Sequence, residues 1–371
     1  MTANTPPLQG LAALGQSVWY DNIHRQLISS GALQRMIEED GLSGVTSNPS
    51  IFEKAVTGSD EYDGIIAEAL AAGLEDPESL FVRLAAADIA AAADVLRPVH
   101  RASGGRDGFV SIEVSPLLAD DTEATVTEAR QLHRLLDRPN VMIKVPGTRA
   151  GIGAIRTLIA DGIPVNVTLL FSIQRYRDAA EAYLEGLEQR LAAGRPLEGI
   201  ASVASFFVSR LDGAVDPILF SAAPELVGQA AIANARAAYN HFLGAVASER
   251  FQRLARAGAQ PQRLLWASTS TKNPDFPDTL YVEALAGPDT VTTLPPATYD
   301  AYRDHGRPEP RLQCSQREVE AILSALAEAG IDLEATTDRL ERDGVEAFVA
   351  SYRNLLQAVT DKADSLGRAS A

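Results

Sequence analysis

Sulfur and imidazole are scarce in this chain. One cysteine, Cys314, stands among 371 residues, which excludes an intrachain disulfide framework and thiolate metal clusters; it fits a reducing compartment, so the cytoplasm is the expected location. The five histidines, His24, His100, His133, His241 and His305, show no HExxH spacing or close pairing. With a single thiol they supply no catalytic metal set, and they read as mostly solvated helix residues. Long apolar runs are missing as well. The most apolar segment, LAAADIAAAADVL, is interrupted by Asp88 and Asp94 and falls well short of the ~20 residues a membrane span needs. The N-terminal MTANTPPLQGLAALGQSVWYD has neither the basic region nor the apolar stretch of a signal peptide. No membrane association is expected. Basic residues are outnumbered: 33 Lys and Arg face 49 Asp and Glu, a formal net charge of −16 with a pI near 4.8. Broad attraction to nucleic acid or an anionic membrane is thereby excluded, and an anionic substrate requires a local cationic pocket.

What is present is ordinary globular material. Hydrophobic residues make up 46% and charged residues 22%, with 27 Gly and 20 Pro, enough to build a sizeable core. At about 150 residues per domain the length allows two domains, yet α/β barrels of this size occur as one unit. Eight short runs rich in Val, Ile and Phe alternate with helix-period stretches: SVWYD ending at Asp21, SGVTSN ending at Asn48, FVSIEVS through Glu113, VMIKVP through Lys144, IPVNVTLLF through Thr168, ASVASFFVS around Ser205, RLLWAS ending at Ser268 and TVTTLP from Thr290 to Pro295. Repeated strand–helix units point to the α/β class, and eight of them close as a single (β/α)8 TIM barrel. No linker or composition break divides the chain, so residues 1–371 are expected to form one domain, with barrel strands over about 17–295 and a helical C-terminal segment over about 296–371 closing over the barrel. The stretches RQLISSGALQRMIEED and ELVGQAAIANARAAYNHFLGAVASERFQRLARAG each read as helical. The intervals Asn48 to Glu113 and Ser205 to Ser268 are too long for one crossover and must hold additional helices.

Chemistry in such a barrel sits at the C-terminal strand ends. The residues there are Asp21, Asn48, Glu113, Lys144, Asn166, Thr168, Ser205 and Ser268. Each alone reads equally as a polar strand cap, but seven strands ending in a compatible set of amine, acids, amides and hydroxyls are harder to dismiss. Lys144 is the most informative. Burial in an apolar strand disfavours the charged ammonium, and an amine must be neutral to attack a carbonyl, which suits a Schiff-base nucleophile; on this strand alone, a lysine paired with Glu113 to stabilise the barrel interior fits as well. Trp266 reads as core, and the glycine-containing GTRAGIGAI after Lys144 reads either as a helix N-terminus offered to a phosphate or, equally well, as a capped helix start.

The segments GVTSNPSIF, SIEVSP, VMIKVPGT, IPVNVTLLFS, ASFFVSRLD and LLWASTSTKNP, in this order, resemble the transaldolase family, in its longer-chain branch, from about Gly15 to the C-terminal helices. The resemblance implies a metal-free barrel enzyme without cofactor that moves a dihydroxyacetone unit between sugar phosphates. It places Lys144 as the Schiff-base lysine, Glu113 and Thr168 as holders of a catalytic water, and Asp21 as the acid/base at the breaking carbon–carbon bond. Asn48, Asn166 and Ser205 match hydrogen-bonding positions for substrate hydroxyls, Arg210 a phosphate-binding arginine, and Ser268 the opening of the remaining phosphate stretch. Lys272 stands where shorter members have arginine, and lysine binds phosphate as a point charge rather than a fork. Monomer and homodimer are both compatible with this reading. A fructose 6-phosphate aldolase of the same class, a glycoside hydrolase using Asp21 and Glu113, and a non-catalytic sugar-phosphate-binding barrel are the alternatives; the hydrolase leaves Lys144 without a role.

Overall fold

Each of the eight expected runs contributes one strand. In chain order they are β1 Gln16–Tyr20, β2 Gly44–Val45, β3 Phe109–Glu113, β4 Val141–Pro146, β5 Val165–Leu170, β6 Ser202–Phe207, β7 Arg263–Ala267 and β8 Thr290–Leu294, all parallel and neighbouring in sequence order around a closed ring. The computed structural model describes residues 6–370, with side chains through 367. β8 closes the ring by pairing with β1 from Gln16↔Thr290 to Tyr20↔Leu294. The architecture is a (β/α)8 TIM barrel followed by C-terminal helices.

Successive strand residues point to opposite faces, and the core divides accordingly. Trp19, Phe109, Met142, Val203, Phe207, Leu265 and Val291 form one cluster, inside the ring. The positions between them, among them Val18, Val110, Ile143, Ala204, Phe206 and Trp266, join the larger core between sheet and helices; Trp266 is buried there as the sequence predicts. The same alternation puts Lys144 on the inner face with Met142, and Glu113 with Phe109 and Ser111. Moving toward the C-terminal strand ends, an apolar interior therefore gives way to a polar layer. The opposite end is plugged by Arg263, which is almost fully buried; its guanidinium meets Asp107 at 3.0 Å and Ser17 Oγ at 2.7 Å.

Both long crossovers hold the additional helices expected: Pro49–Thr57, Asp63–Ala71 and Pro77–Ala102 in the first, Ser209–Ala222, Ala230–Ala247 and Glu249–Arg256 in the second. Two stretches read as helical are broken. RQLISSGALQRMIEED splits into Arg25–Ser29 and Ala32–Asp40 because Gly31 adopts φ 72°, a left-handed conformation that glycine takes without steric cost. The later stretch divides at Ser248, whose side chain accepts from Phe251 N and caps a new helix. Four of the histidines are half-buried rather than solvated, and only His305 is exposed; His24, for example, caps the helix Arg25–Ser29.

The C-terminal segment forms Pro296–His305, Gln316–Glu328 and Leu333–Ser370. The last of these returns across the barrel mouth. It is tied down by Arg175–Glu341 at 3.0 Å, by Tyr352 donating to Glu78 at 2.8 Å, and by Lys362–Asp63 at 2.9 Å.

Candidate active site

Strand register assembles the centre of the site. Glu113 pairs with Lys144 across β3 and β4, Lys144 with Asn166 across β4 and β5, and Pro146 with Thr168. Three polar side chains thus stand side by side at one level, with Thr168 two residues further along β5. A cavity of about 650 Å³ opens above them, lined by Asp21, Asn48, Lys144, Thr168, Ser205, Arg210, Ser268 and Lys272 among others. That volume suits a ligand the size of a sugar phosphate. Eight of the ten residues expected from sequence line it. Glu113 lies instead in an adjoining recess with Ser47, Asn48 and Tyr352, and Asn166 lies beneath the floor.

Lys144 and Glu113 have side chains only 6% and 4% exposed. Lys144 Nζ donates to the Ser47 carbonyl at 3.0 Å and lies 3.5 Å from Glu113 Oε2, an ion-pair distance longer than a charge-assisted hydrogen bond. Glu113 Oε1 and Thr168 Oγ1 are buried and make no hydrogen bond to a protein group. Burial pushes the Glu113 carboxyl up to about 7; the positive charge and hydrogen bond of Lys144 pull against that shift, and the nearby Asp21 reinforces it. A carboxyl in that range both gives and takes a proton near neutrality.

Below the cavity, Asn166 is held from both ends of its amide. Its amide nitrogen donates to Ser111 Oγ at 3.0 Å and its oxygen accepts from Ser205 Oγ at 2.7 Å, so it fixes Ser205. Asn48 caps the helix Pro49–Thr57, its Oδ1 accepting from Ile51 N at 3.1 Å; the amide nitrogen of the same side chain stays available to a ligand. Capping explains why β2 is so short: the chain leaves the sheet after Val45 to begin this helix. Asp21 follows β1 directly and its Oδ1 accepts from Thr46 Oγ1 at 2.7 Å, while Thr46 and Thr293 hydroxyls meet at 2.8 Å.

Cationic groups gather on one side. Arg210, in the first turn of the helix Ser209–Ala222, lies over the Phe207 ring at 5.4 Å, and burial lowers its pKa from the ordinary arginine value; guanidinium groups stay charged in proteins nonetheless. Ser268 Oγ lies 3.0 Å from Ser209 Oγ. Ser268 also has φ 55°, a left-handed conformation that costs a residue with a Cβ about 1 kcal/mol or more and that clusters at ligand sites. Lys272 is exposed and donates to Ser270 Oγ at 3.1 Å. Neither Arg210 nor Lys272 meets a carboxylate among the described residues, which leaves both charges for a ligand.

Thr46, Thr293, the Ser47 carbonyl and Phe348 complete the site and escape sequence reasoning. The two threonines had a usable signal, since they occupy inward positions of strand runs already singled out. Phe348 had none: its ring, on the helix Leu333–Ser370, sits with its centroid 5.7 Å from Lys144 Nζ, across more than half the chain. Among the described residues, no group of three or more His, Cys, Asp and Glu is placed to hold a metal ion, and no helix is long and apolar enough to cross a membrane.

Known proteins are similar to this chain over most of its length. A family model described as Transaldolase/Fructose-6-phosphate aldolase matches residues 18–359. Transaldolase 1 of Streptomyces coelicolor is 49% identical, with 99% of this chain and 97% of that protein covered; a transaldolase of Thermobifida fusca is also 49% identical, covering 96% and 98%. Transaldolase 2 of Nostoc punctiforme is 45% identical over 97% of this chain and 98% of its own length. With a buried lysine and carboxyl in register at the mouth of a (β/α)8 barrel and a family match from strand β1 to the closing helix, this chain belongs to the transaldolase/fructose-6-phosphate aldolase family.

Proposed function

We propose that the protein is a class I, metal-independent transferase of the non-oxidative pentose phosphate pathway, acting in the cytoplasm. It takes a dihydroxyacetone unit from sedoheptulose 7-phosphate and gives it to glyceraldehyde 3-phosphate, yielding erythrose 4-phosphate and fructose 6-phosphate. The observation that carries this reading is the Lys144 amine, buried between the Ser47 carbonyl and Glu113 at the floor of the cavity.

The Lys144 ammonium passes a proton to the adjacent Glu113 carboxylate, the amine so formed adds to the ketone carbon of the donor, and one nitrogen proton passes to the oxygen to give a carbinolamine. Glu113, with a pKa near 7, delivers a proton through water held by its free Oε1 and by Thr168 Oγ1; the hydroxyl leaves as water and an iminium with one N–H remains. Asp21, oriented by Thr46, removes the proton from the hydroxyl beyond the bond to be broken. That oxygen becomes the carbonyl of the departing aldose, and the bonding electrons flow into the iminium to leave an enamine. No metal is required, because the iminium is the electron sink. Asn48 and Ser205 hold the retained three-carbon fragment by its hydroxyls. The acceptor aldehyde then adds to the enamine carbon, Asp21 returns its proton, and water releases the product from Lys144. Arg210, Ser268 and Lys272 receive the phosphate, and their side of the cavity supplies the positive charge that a −16 chain otherwise lacks.

The related reading is a fructose 6-phosphate aldolase that releases free dihydroxyacetone. Glu113 beside the lysine favours transfer, as do the transaldolase names of relatives 45–49% identical. Borohydride reduction with fructose 6-phosphate is expected to leave a three-carbon adduct on Lys144. Turnover is expected to need an acceptor aldose phosphate; comparable turnover without one would overturn the transferase reading, and absence of the adduct would overturn the Schiff base.

A further inference from the structure

Lys144 Nζ has three neighbours that favour a cation: the Ser47 carbonyl at 3.0 Å, the Glu113 carboxylate at 3.5 Å, and the face of Phe348 at 5.7 Å. The first depends on an N–H donor, the second is an ion pair that an N–H strengthens, and the third uses no donor at all. An ammonium has three N–H bonds, whereas the iminium keeps one, so the nitrogen can no longer serve both oxygens by hydrogen bonding. An aromatic face attracts a cation through its quadrupole and needs no donor. The iminium is also planar, with its charge shared by the trigonal carbon, and presents more of itself to a ring than a tetrahedral ammonium does.

Phe348 is held firmly enough for this task. It is 9% exposed and belongs to the cluster that fills the barrel interior. Its helix descends closely onto the end of β5: a Cβ built on Gly344, one turn earlier on the same face, would meet Leu169 at 3.1 Å. Arg175–Glu341 on one side and Tyr352–Glu78 on the other fasten the helix around it.

We propose that Phe348 is the aromatic face against which the Lys144 iminium forms, stabilising that cation after the nitrogen has lost two of its three N–H donors. The proposal rests on the Schiff-base reading above. It gives the C-terminal helix an electrostatic part in the reaction beyond closing the barrel.

Fluorination of the ring drains the π face and scarcely changes its size. Phe348 is therefore to be replaced with phenylalanine carrying one, two and three ring fluorines, in the full-length protein. At saturating fructose 6-phosphate, the ratio of borohydride-trapped to free Lys144 is expected to fall stepwise, by about tenfold over the series. The kcat is expected to fall with it, while Tm and KM stay nearly constant. Phe348→Trp should retain the ratio and Phe348→Leu should lose it. A flat response to fluorine, or a fall in kcat with an unchanged trapped ratio, would overturn the proposal. If the unsubstituted protein yields no Lys144 adduct at all, the Schiff-base reading fails instead, so the two failures are distinguishable.

Discussion

Replacing Glu113 with glutamine keeps the shape of the side chain and removes a titrating group, and the structure sets both the sign and the size of the consequence. Burial raises this carboxyl from its ordinary 4.5 to about 7, against the pull of Lys144. Between those two values the folded protein holds a proton that the unfolded chain has released. The stability linked to that proton is fully present below 4.5 and is lost as pH rises through about 7. At about 1.4 kcal/mol for each pH unit, the interval corresponds to on the order of 3 kcal/mol. Urea unfolding of both proteins from pH 4.5 to 8 is expected to show the unsubstituted protein losing roughly that amount relative to Glu113→Gln. Carboxyl ¹³C spectra should place the Glu113 midpoint near 7, and Lys144→Met should move it higher, because the opposing positive charge is gone. Parallel stability profiles, or a midpoint near the ordinary 4.5, would refute the argument. Activity is a separate readout: glutamine cannot relay a proton, so kcat should fall by about 10²- to 10⁴-fold.

Three other substitutions test the two ends of the barrel. Arg210→Ala should raise KM for fructose 6-phosphate about 10- to 100-fold, the scale of lost charge-assisted hydrogen bonds, with little effect on unphosphorylated dihydroxyacetone; Lys272→Ala should cost only about two- to fivefold, because an exposed amine is well solvated. Equal losses for phosphorylated and unphosphorylated substrates would remove Arg210 from the phosphate site. At the plugged end, Asp107→Ala strands the buried Arg263 guanidinium and should lower unfolding stability by about 3–5 kcal/mol. Urea titration followed by the fluorescence of Trp19, whose Nε1 donates to Asp107 at 3.2 Å, reports it directly, and a loss below about 1 kcal/mol would show that the pair does not hold the plug.

Local pattern and chain order were enough for the barrel and most of its rim. Eight β-branched or aromatic runs between helical stretches leave few ways to satisfy the backbone other than a closed parallel ring, and polar residues at the C-terminal strand ends then share one face. Alternation alone places Glu113 and Lys144 inside, because inner and outer positions differ by a single residue along a strand. Helix breaks were less legible. Gly31 and Ser248 interrupt stretches whose apolar spacing continues through them, and a left-handed glycine or a capping serine shows itself only once the flanking helices have somewhere to pack.

Tertiary structure alone decided the electrostatics of the centre. The proton affinity of Glu113 depends on how completely β3, β4 and the C-terminal helix exclude water from it, and desolvation has no sequence signature. The same holds for the Ser47 carbonyl, a backbone group that any residue would supply, and for Asn166, whose amide is oriented by Ser111 and Ser205. Phe348 is the clearest instance. Its place over Lys144 follows from a helix that returns across the barrel mouth, pinned by ion pairs and hydrogen bonds to distant segments. Periodicity determines which residues share a strand or helix face; which faces meet across hundreds of residues is set by packing of the whole chain.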